Sequence, residues 1–224
     1  YVRVFSETSS GLEFQIHSPF GTADIMIALH GRFNAFNVTA AVVAVTGLGF
    51  PFTEVANAAS HLLPVDGRMQ EVKSGSDIRV VVDYAHTPDA LASALSALKQ
   101  SCTGALWVVF GCGGDRDAGK RPEMGRIADS LADQLVVTND NPRSESPEMI
   151  AEDILVGITG SPCHVELDRS AAIRHAVLNA RSGDTVLVAG KGHENYQLVG
   201  KNKLDFSDVS CAADVLRERE AAHA

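Results

Sequence analysis

The fold is decided by the stretch from Gln134 to Arg143, which reads QLVVTNDNPR. Its apolar first half has the length of a buried strand, and Ser146-Pro147-Glu148 behind it is typical of a helix N-terminus. The residues Asp140-Asn141-Pro142-Arg143 are therefore predicted to form a loop between a strand and a helix. In open α/β sheets, ligands bind at this carboxyl end of the strands.

The loop Asp140 to Arg143 carries groups that complement an amino acid. Pro142 fixes its own φ and favours an extended Asn141, so the polar side chains are held on a short bend. The Asp140 carboxylate can bind an ammonium, and the Arg143 guanidinium can bind a carboxylate through two parallel hydrogen bonds. The four residues are also common turn formers, and alone they fit an ordinary strand-to-helix turn equally well.

Strand and helix patterns alternate from Ile78 onwards. We predict strands over residues 78–83, 105–110, 134–138, 163–167 and 185–189, and helices over residues 88–99, 122–131, 147–158 and 171–180. A hairpin over 196–206 and a helix over 208–220, capped by Ser207, follow. This alternation predicts an α/β fold with a Rossmann-like, mostly parallel sheet, helices on both of its faces and a C-terminal β-hairpin.

Residues 1–75 have a different pattern. We predict a hairpin over residues 12–29 and helices over 38–45 and 54–61, the second capped by Thr53. These elements are too few to close a core alone, so we expect them to end a second domain, with a boundary near Ser74-Gly75-Ser76.

Four residues ahead of predicted helices have side chains suited to a nucleotide. Asp83 and His86 follow the first strand of the alternating part, where a helix N-terminus attracts anions and His86 can donate to a phosphate. Asn34 and Asn37 lie one turn apart at a helix start, where amides can contact a base or a phosphate. For all four, hydrogen bonding within the turn or the helix cap is the alternative.

The loop after the second parallel strand, Gly111 to Pro122, reads GCGGDRDAGKRP. It departs from the dinucleotide fingerprint, which needs glycine at Arg116, and from the P-loop pattern, which needs a hydroxyl at Arg121. Its glycines indicate a backbone that a ligand can approach closely. The cations Arg116, Lys120 and Arg121 therefore predict an anionic ligand, and a solvated run of charges is the alternative.

The last parallel strand is followed by Gly190-Lys191-Gly192-His193-Glu194. His193 and Glu194 have side chains that can transfer a proton or bind a ligand, and the alternative is a tight turn into the final hairpin. We predict that Glu194 faces Asp140 across the end of the sheet and binds an ammonium with it.

The composition narrows the class of protein. With a net charge of -9 over 224 residues, neither a nucleic acid nor a membrane surface is expected as a partner. The four cysteines have no metal-ligand or C-x-x-C spacing, which favours reduced thiols and a cytoplasmic location. Cys112 has the chemistry of a nucleophile, but a small residue in a tight loop is the favoured interpretation. The chain starts at Tyr1, within strand-like sequence, which suggests a piece of a longer protein.

Taken in chain order, the loops at 83–88, 111–122, 140–143 and 190–194 resemble those of the Mur ligases of peptidoglycan synthesis. The resemblance covers essentially the whole chain and is strongest for the branch that adds diaminopimelate. It implies that residues 76–224 are a C-terminal ligase domain and that residues 1–75 end a central ATPase domain. It also implies a monomeric cytoplasmic enzyme that joins meso-diaminopimelate to a UDP-N-acetylmuramoyl dipeptide through an acyl phosphate, using ATP and Mg²⁺.

The same resemblance implies roles for single residues. Those that hold diaminopimelate are Arg116, Asp140, Asn141, Pro142, Arg143, Gly190 and Glu194, and those that contact ATP are Asn37, Arg68, Asp83 and His86. Arg143 is expected to discriminate, because diaminopimelate is lysine with a second carboxylate and a buried arginine left unpaired selects against lysine. No metal ligand or catalytic residue is assigned, because the magnesium ligands are expected mainly outside this chain.

The sequence also departs from the family pattern. It contains no P-loop, none of the central domain's magnesium ligands, no counterpart of its modified lysine and no UDP-sugar domain, so we expect no ligation by this chain alone. A non-catalytic module that binds an amino acid or a nucleotide is one alternative. A folylpolyglutamate-synthase-like ligase is the other, and the Asp140 to Arg143 loop argues against it.

Overall fold

The computed structural model describes residues 1–8, 11–160 and 162–223, which form two compact units, Tyr1–Val65 and Asp66–Ala224. The division therefore lies N-terminal to the boundary predicted near Ser74-Gly75-Ser76. The difference has a physical reason. Residues 70 and 71 pair with the sheet of the second unit, and Val72 packs in its core.

The first unit contains an antiparallel sheet in the order β1 (Val2–Thr8), β2 (Gly11–Ser18), β3 (Gly21–Ile27). Helices α1 (Arg32–Gly47) and α2 (Phe52–Ala59) share an apolar core with it. The predicted N-cap Thr53 is wrong, because α2 begins at Phe52 and Thr53 lies inside it. The extended residue Pro51 takes the cap position, without a side-chain hydrogen bond.

The second unit is built on a mostly parallel sheet, as predicted. Its strands are β4 (Gln70–Glu71), β5 (Arg79–Asp83), β6 (Leu106–Phe110), β7 (Gln134–Val137), β8 (Cys163–Val165) and β9 (Thr185–Ala189). Across the described residues the order is β4-β5-β9-β6-β7-β8, with β4 antiparallel to β5 and the other neighbours parallel. The two-residue strand β4 was not predicted, since it is too short to show periodicity.

Helices cover both faces of this sheet. They are α3 (Pro88–Ser101), α4 (Lys120–Leu131), α5 (Pro147–Leu155), α6 (Arg169–Asn179) and α7 (Asp208–His223). Val80 and Val82 share a core with α6 and α7, and Val81 between them is buried on the opposite face. Thr87 and Ser146 cap α3 and α5 by accepting backbone N–H groups. None of the helices in the described part of the chain is long and apolar enough to cross a membrane.

Strand β9 lies between β5 and β6, so the chain passes over one strand position on its way from β5 to β6. Asp83 at the end of β5 pairs with Ala189, and Phe110 at the end of β6 pairs with Val137. The loops after β5, β9, β6 and β7 consequently meet at one edge of the sheet. Ligands of open α/β sheets bind at such a reversal of strand order. The predicted hairpin follows as β10 (Tyr196–Val199) and β11 (Asn202–Asp205).

Candidate functional site

A pocket of about 510 Å³ opens among the loops at the carboxyl ends of these strands. Its lining includes most of the residues predicted to hold an amino acid: Arg116, Asp140, Asn141, Arg143, Gly190 and Glu194. Pro142 is buried and is not among the described lining residues. The sequence prediction of a single site from loops distant in the chain thus agrees with where the structure places them.

The hairpin β10–β11 fixes the loop that follows β7. The Gln197 side-chain amide donates to the carbonyl oxygen of Asp140 at 2.8 Å. The Leu198 backbone N–H donates to Asn141 Oδ1 at 2.9 Å. These contacts orient the Asn141 side chain. No sequence pattern indicated them, because each joins residues more than 50 positions apart.

Arg143 is held in an uncommon backbone conformation, with a φ of 53° in the left-handed region. Its N–H donates to Leu198 O at 3.1 Å, and its carbonyl oxygen accepts from the Gly200 N–H at 2.7 Å. The side chain is half-buried, and its Nη1 donates to Gly114 O at 2.8 Å. Among the described residues Nε and Nη2 have no acceptor, so both groups can donate to an anionic ligand.

The ammonium of Lys191 lies between the two carboxylates that were predicted to bind a ligand ammonium. Its Nζ is 3.4 Å from Asp140 Oδ1, 3.3 Å from Glu194 Oε2 and 3.0 Å from Asn141 Oδ1. The Lys191 side chain is 0% exposed. The carboxylates at the acidic end of the pocket therefore already contact one buried cation, which the sequence analysis did not predict.

A buried ion pair connects two of the loops that form the site. Arg169 makes a bidentate contact with Asp208, at 2.7 and 2.8 Å, and both side chains are 0% exposed. The same guanidinium donates to the carbonyl oxygens of Asn139 and Ala189, each at 3.0 Å. It thereby ties together the residues immediately before Asp140 and before Gly190.

The glycine-rich loop presents two of its three predicted cations to the pocket. Arg116 and Lys120 line the pocket, and Lys120 Nζ donates to His86 O at 2.8 Å. The expectation was wrong for Arg121, whose side chain is 3% exposed and lies 2.9 Å from both Glu145 and Asp153. Because these carboxylates already pair with the guanidinium, Arg121 is a structural residue of α4.

Asp83 follows β5 and is fixed by the backbone. Its two carboxylate oxygens accept the N–H groups of Met69 at 2.7 Å and Ala85 at 2.8 Å. Burial raises the pKa of this carboxyl, while the two N–H donors act in the opposite direction. Asp83 therefore stabilises the loop between β5 and α3. It is not among the described residues that line the pocket.

An aromatic cluster lies beside this loop. Arg68 stacks over the Tyr84 ring with its Cζ 4.7 Å from the centroid, and the His86 ring meets the same ring edge-on at 4.6 Å. His86 lines the pocket and donates from Nδ1 to Tyr84 O at 2.7 Å. Asn37 lies in the other unit, exposed on α1, and donates to Asn34 Oδ1 at 3.4 Å.

Cys112 is buried beside Met124, with the two sulfur atoms 3.6 Å apart. Burial raises the pKa of its thiol to about 12, and since the thiolate is the nucleophile, this environment does not suit nucleophilic chemistry. We expect Cys112 in the folded chain to resist iodoacetamide at about pH 8, while the half-buried Cys102 reacts. Peptide mass spectrometry over a time course measures both. Equal alkylation rates under native conditions would contradict this assignment.

Across the described residues, no group of three or more histidine, cysteine, aspartate or glutamate side chains is arranged to hold a metal ion. Of the carboxylates that line the pocket, Asp140 and Glu194 contact Lys191, and Asp117 accepts the Gly119 N–H. Asp83 is occupied by backbone N–H groups. Within the part of the chain that the structure describes, these donors therefore do not form a magnesium site.

Comparisons with known proteins agree with this geometry. Residues 67–192 match the family model described as Mur ligase, glutamate ligase domain. Two curated relatives are UDP-N-acetylmuramoyl-L-alanyl-D-glutamate–2,6-diaminopimelate ligases, from Chromobacterium violaceum at 48% identity over 93% of this chain and from Vibrio vulnificus at 47% over 92%. A solved structure of a ligase of the same name is 39% identical over 100% of this chain, with a TM-score of 0.70. The chain spans only 43%, 42% and 46% of these three proteins, respectively.

Proposed function

The chain belongs to the Mur ligase family, and from this premise we propose that it forms the amino-acid-binding part of an ATP-dependent amide ligase whose incoming substrate is meso-diaminopimelate. On this proposal the second unit is the C-terminal ligase domain, and the first unit ends a central ATP-binding domain. The acceptor is a UDP-N-acetylmuramoyl-L-alanyl-D-glutamate, and the reaction belongs to peptidoglycan synthesis in the cytoplasm.

One observation carries the choice of substrate, the pairing of opposite charges in a single pocket. Arg143 and Arg116 present guanidinium groups, and Asp140 and Glu194 present carboxylates to the same space. An amino-acid end group, with one ammonium and one carboxylate, complements this arrangement. Diaminopimelate has such a group at each end, so one end can be held here while the amine at the other end reacts.

The chemistry that follows from the proposal is amide-bond formation. ATP phosphorylates the side-chain carboxylate of the D-glutamate residue, and the amine of diaminopimelate attacks the resulting acyl phosphate. A tetrahedral intermediate then expels phosphate. The chain's own contribution is to orient the amine, because a fixed end group converts a bimolecular encounter into an attack at a set position.

Contacts to ATP are proposed for Asn37, Arg68, Asp83 and His86. Arg68 and His86 offer donors beside the Tyr84 ring, and Asp83 holds the loop that carries His86. No step is assigned to Mg²⁺ on this chain, since its side chains form no site for that ion in the described residues.

The proposal is tested by isothermal titration of the chain with meso-diaminopimelate and, separately, with L-lysine. We expect binding of diaminopimelate and binding of lysine weaker by at least tenfold. Lysine has an amino-acid group at one end only, and when its side-chain end occupies the pocket the arginines are left without a carboxylate. Circular dichroism of the same sample establishes that it is folded. Equal affinity for the two ligands, or no binding by a folded chain, would refute diaminopimelate as the ligand of this pocket.

A further inference from the structure

Lys191 lies behind the carboxylates that line the acidic end of the pocket, and its backbone conformation places it there. It lies between Gly190, with a φ of 122°, and Gly192, with a φ of 53°. Residues other than glycine rarely adopt these backbone conformations. This turn directs the lysine side chain inward, where it is 0% exposed. An ammonium so far from water is retained only when oxygens replace its hydration shell.

Those oxygens come from both loops that form the acidic end of the pocket. Asn141 links them further, because its Nδ2 donates to Glu194 Oε2 at 3.1 Å while its Oδ1 accepts from Lys191. The three contacts of Nζ lie between 3.0 and 3.4 Å, so the ammonium is shared among its acceptors and does not form one short ion pair. Asp140 and Glu194 keep 9% and 18% of their side-chain surface exposed towards the pocket.

The charges at this end can be counted. Asp140 and Glu194 carry two negative charges and Lys191 carries one positive charge, which leaves one net negative charge for a ligand. A single ligand ammonium balances it. Without Lys191 the same end would attract additional positive charge, and the pocket as a whole would favour ligands that are more cationic.

We propose that Lys191 is a specificity-determining residue, whose ammonium sets the charge of the pocket so that a zwitterionic amino-acid end group is preferred over a lone ammonium. This inference rests on the proposed function and assigns part of its substrate selectivity to a residue other than Arg143. Lysine has one positive charge more than diaminopimelate, because it lacks the second carboxylate. The Lys191 charge therefore disfavours lysine relative to diaminopimelate.

The test compares the Lys191→Met variant with the unaltered chain in titrations with meso-diaminopimelate and with L-lysine. We expect the ratio of the two affinities to fall by about tenfold or more, as one unit charge acting over several ångströms in a partly solvated pocket produces. Lys203→Met is the matched control. Lys203 lies over the same Tyr196 ring that faces Lys191 but is exposed on the hairpin, so its removal is expected to leave the ratio unchanged.

A double variant, Lys191→Met with Glu194→Gln, separates charge from shape. It restores one net negative charge without restoring the ammonium, so the affinity ratio is expected to move back towards that of the unaltered chain. The double variant can also replace Lys191→Met in the test if that single variant does not fold, because it removes the carboxylate that loses its partner. A ratio that stays unchanged in folded Lys191→Met, or a lowered ratio that does not recover in the double variant, overturns the inference. If the unaltered chain does not prefer meso-diaminopimelate to L-lysine, the proposed function is refuted, and the inference is refuted with it.

Discussion

Replacing Asp208 by alanine is expected to lower the free energy of unfolding of the second unit by about 3–5 kcal/mol. Asp208 accepts two hydrogen bonds from Arg169, and neither side chain is exposed. Without the carboxylate, the guanidinium remains buried, and among the described residues it keeps two hydrogen-bond acceptors, the carbonyl oxygens of Asn139 and Ala189. The cost of that uncompensated charge exceeds the value of the pair itself, which desolvation largely offsets.

Urea denaturation followed by the fluorescence of Trp107 measures this effect, since Trp107 is the single tryptophan of the chain and lies in β6. Asp214→Ala is the matched control in the same helix. Its partner Arg217 is 71% exposed, so we expect a change of no more than about 0.5 kcal/mol. Similar decreases in the free energy of unfolding in the two variants would contradict the assignment of the effect to the burial of the Arg169–Asp208 pair.

Four of the parallel strands, β5, β6, β7 and β9, could be predicted because they are mainly buried and therefore consist largely of apolar residues. Strand β8 is more exposed. The predicted strand over 185–189 has the observed bounds of β9, and the others differ by one or two residues at their ends. The insertion of β9 between β5 and β6 could not be predicted from these runs, because a sequence gives the order of strands along the chain and not across the sheet.

The site could be predicted to the extent that it follows from strand ends. Parallel strands place their following loops at one edge, so residues as distant as His86, Arg116, Asp140 and Glu194 share a pocket. The roles of individual cations could not be predicted in this way. Arg116 and Arg121 belong to one charged loop, yet only the position of Glu145 and Asp153 makes Arg121 a structural residue.

The burial of Lys191 could not be predicted from the sequence either. A lysine between two glycines reads as an exposed turn residue, and its burial depends on acceptors contributed by the loop after β7. Hydrogen bonds of the hairpin to that loop are likewise set by the tertiary fold. Local sequence therefore identified which loops form the pocket, whereas the charge balance inside it required the contacts between them.

Arg143→Ala and Arg143→Gly are both expected to lower the preference for meso-diaminopimelate over lysine by about tenfold to a hundredfold, the value of hydrogen bonds from a charged donor. The two variants remove the same guanidinium. They keep the backbone groups that bond to Leu198 and Gly200, so the loop itself retains its anchors. Calorimetric titration with each ligand measures the change in preference.

The two variants are expected to differ in stability. Because residue 143 has a φ of 53°, alanine there retains the strain of the left-handed conformation and glycine does not. We therefore expect Arg143→Gly to be more stable than Arg143→Ala by about 1 kcal/mol in urea denaturation. If the preference for meso-diaminopimelate depended on stability, the alanine variant would lose more of that preference than the glycine variant. Equal loss of selectivity at unequal stability instead assigns recognition to the guanidinium, and full selectivity in both variants would contradict the role of Arg143.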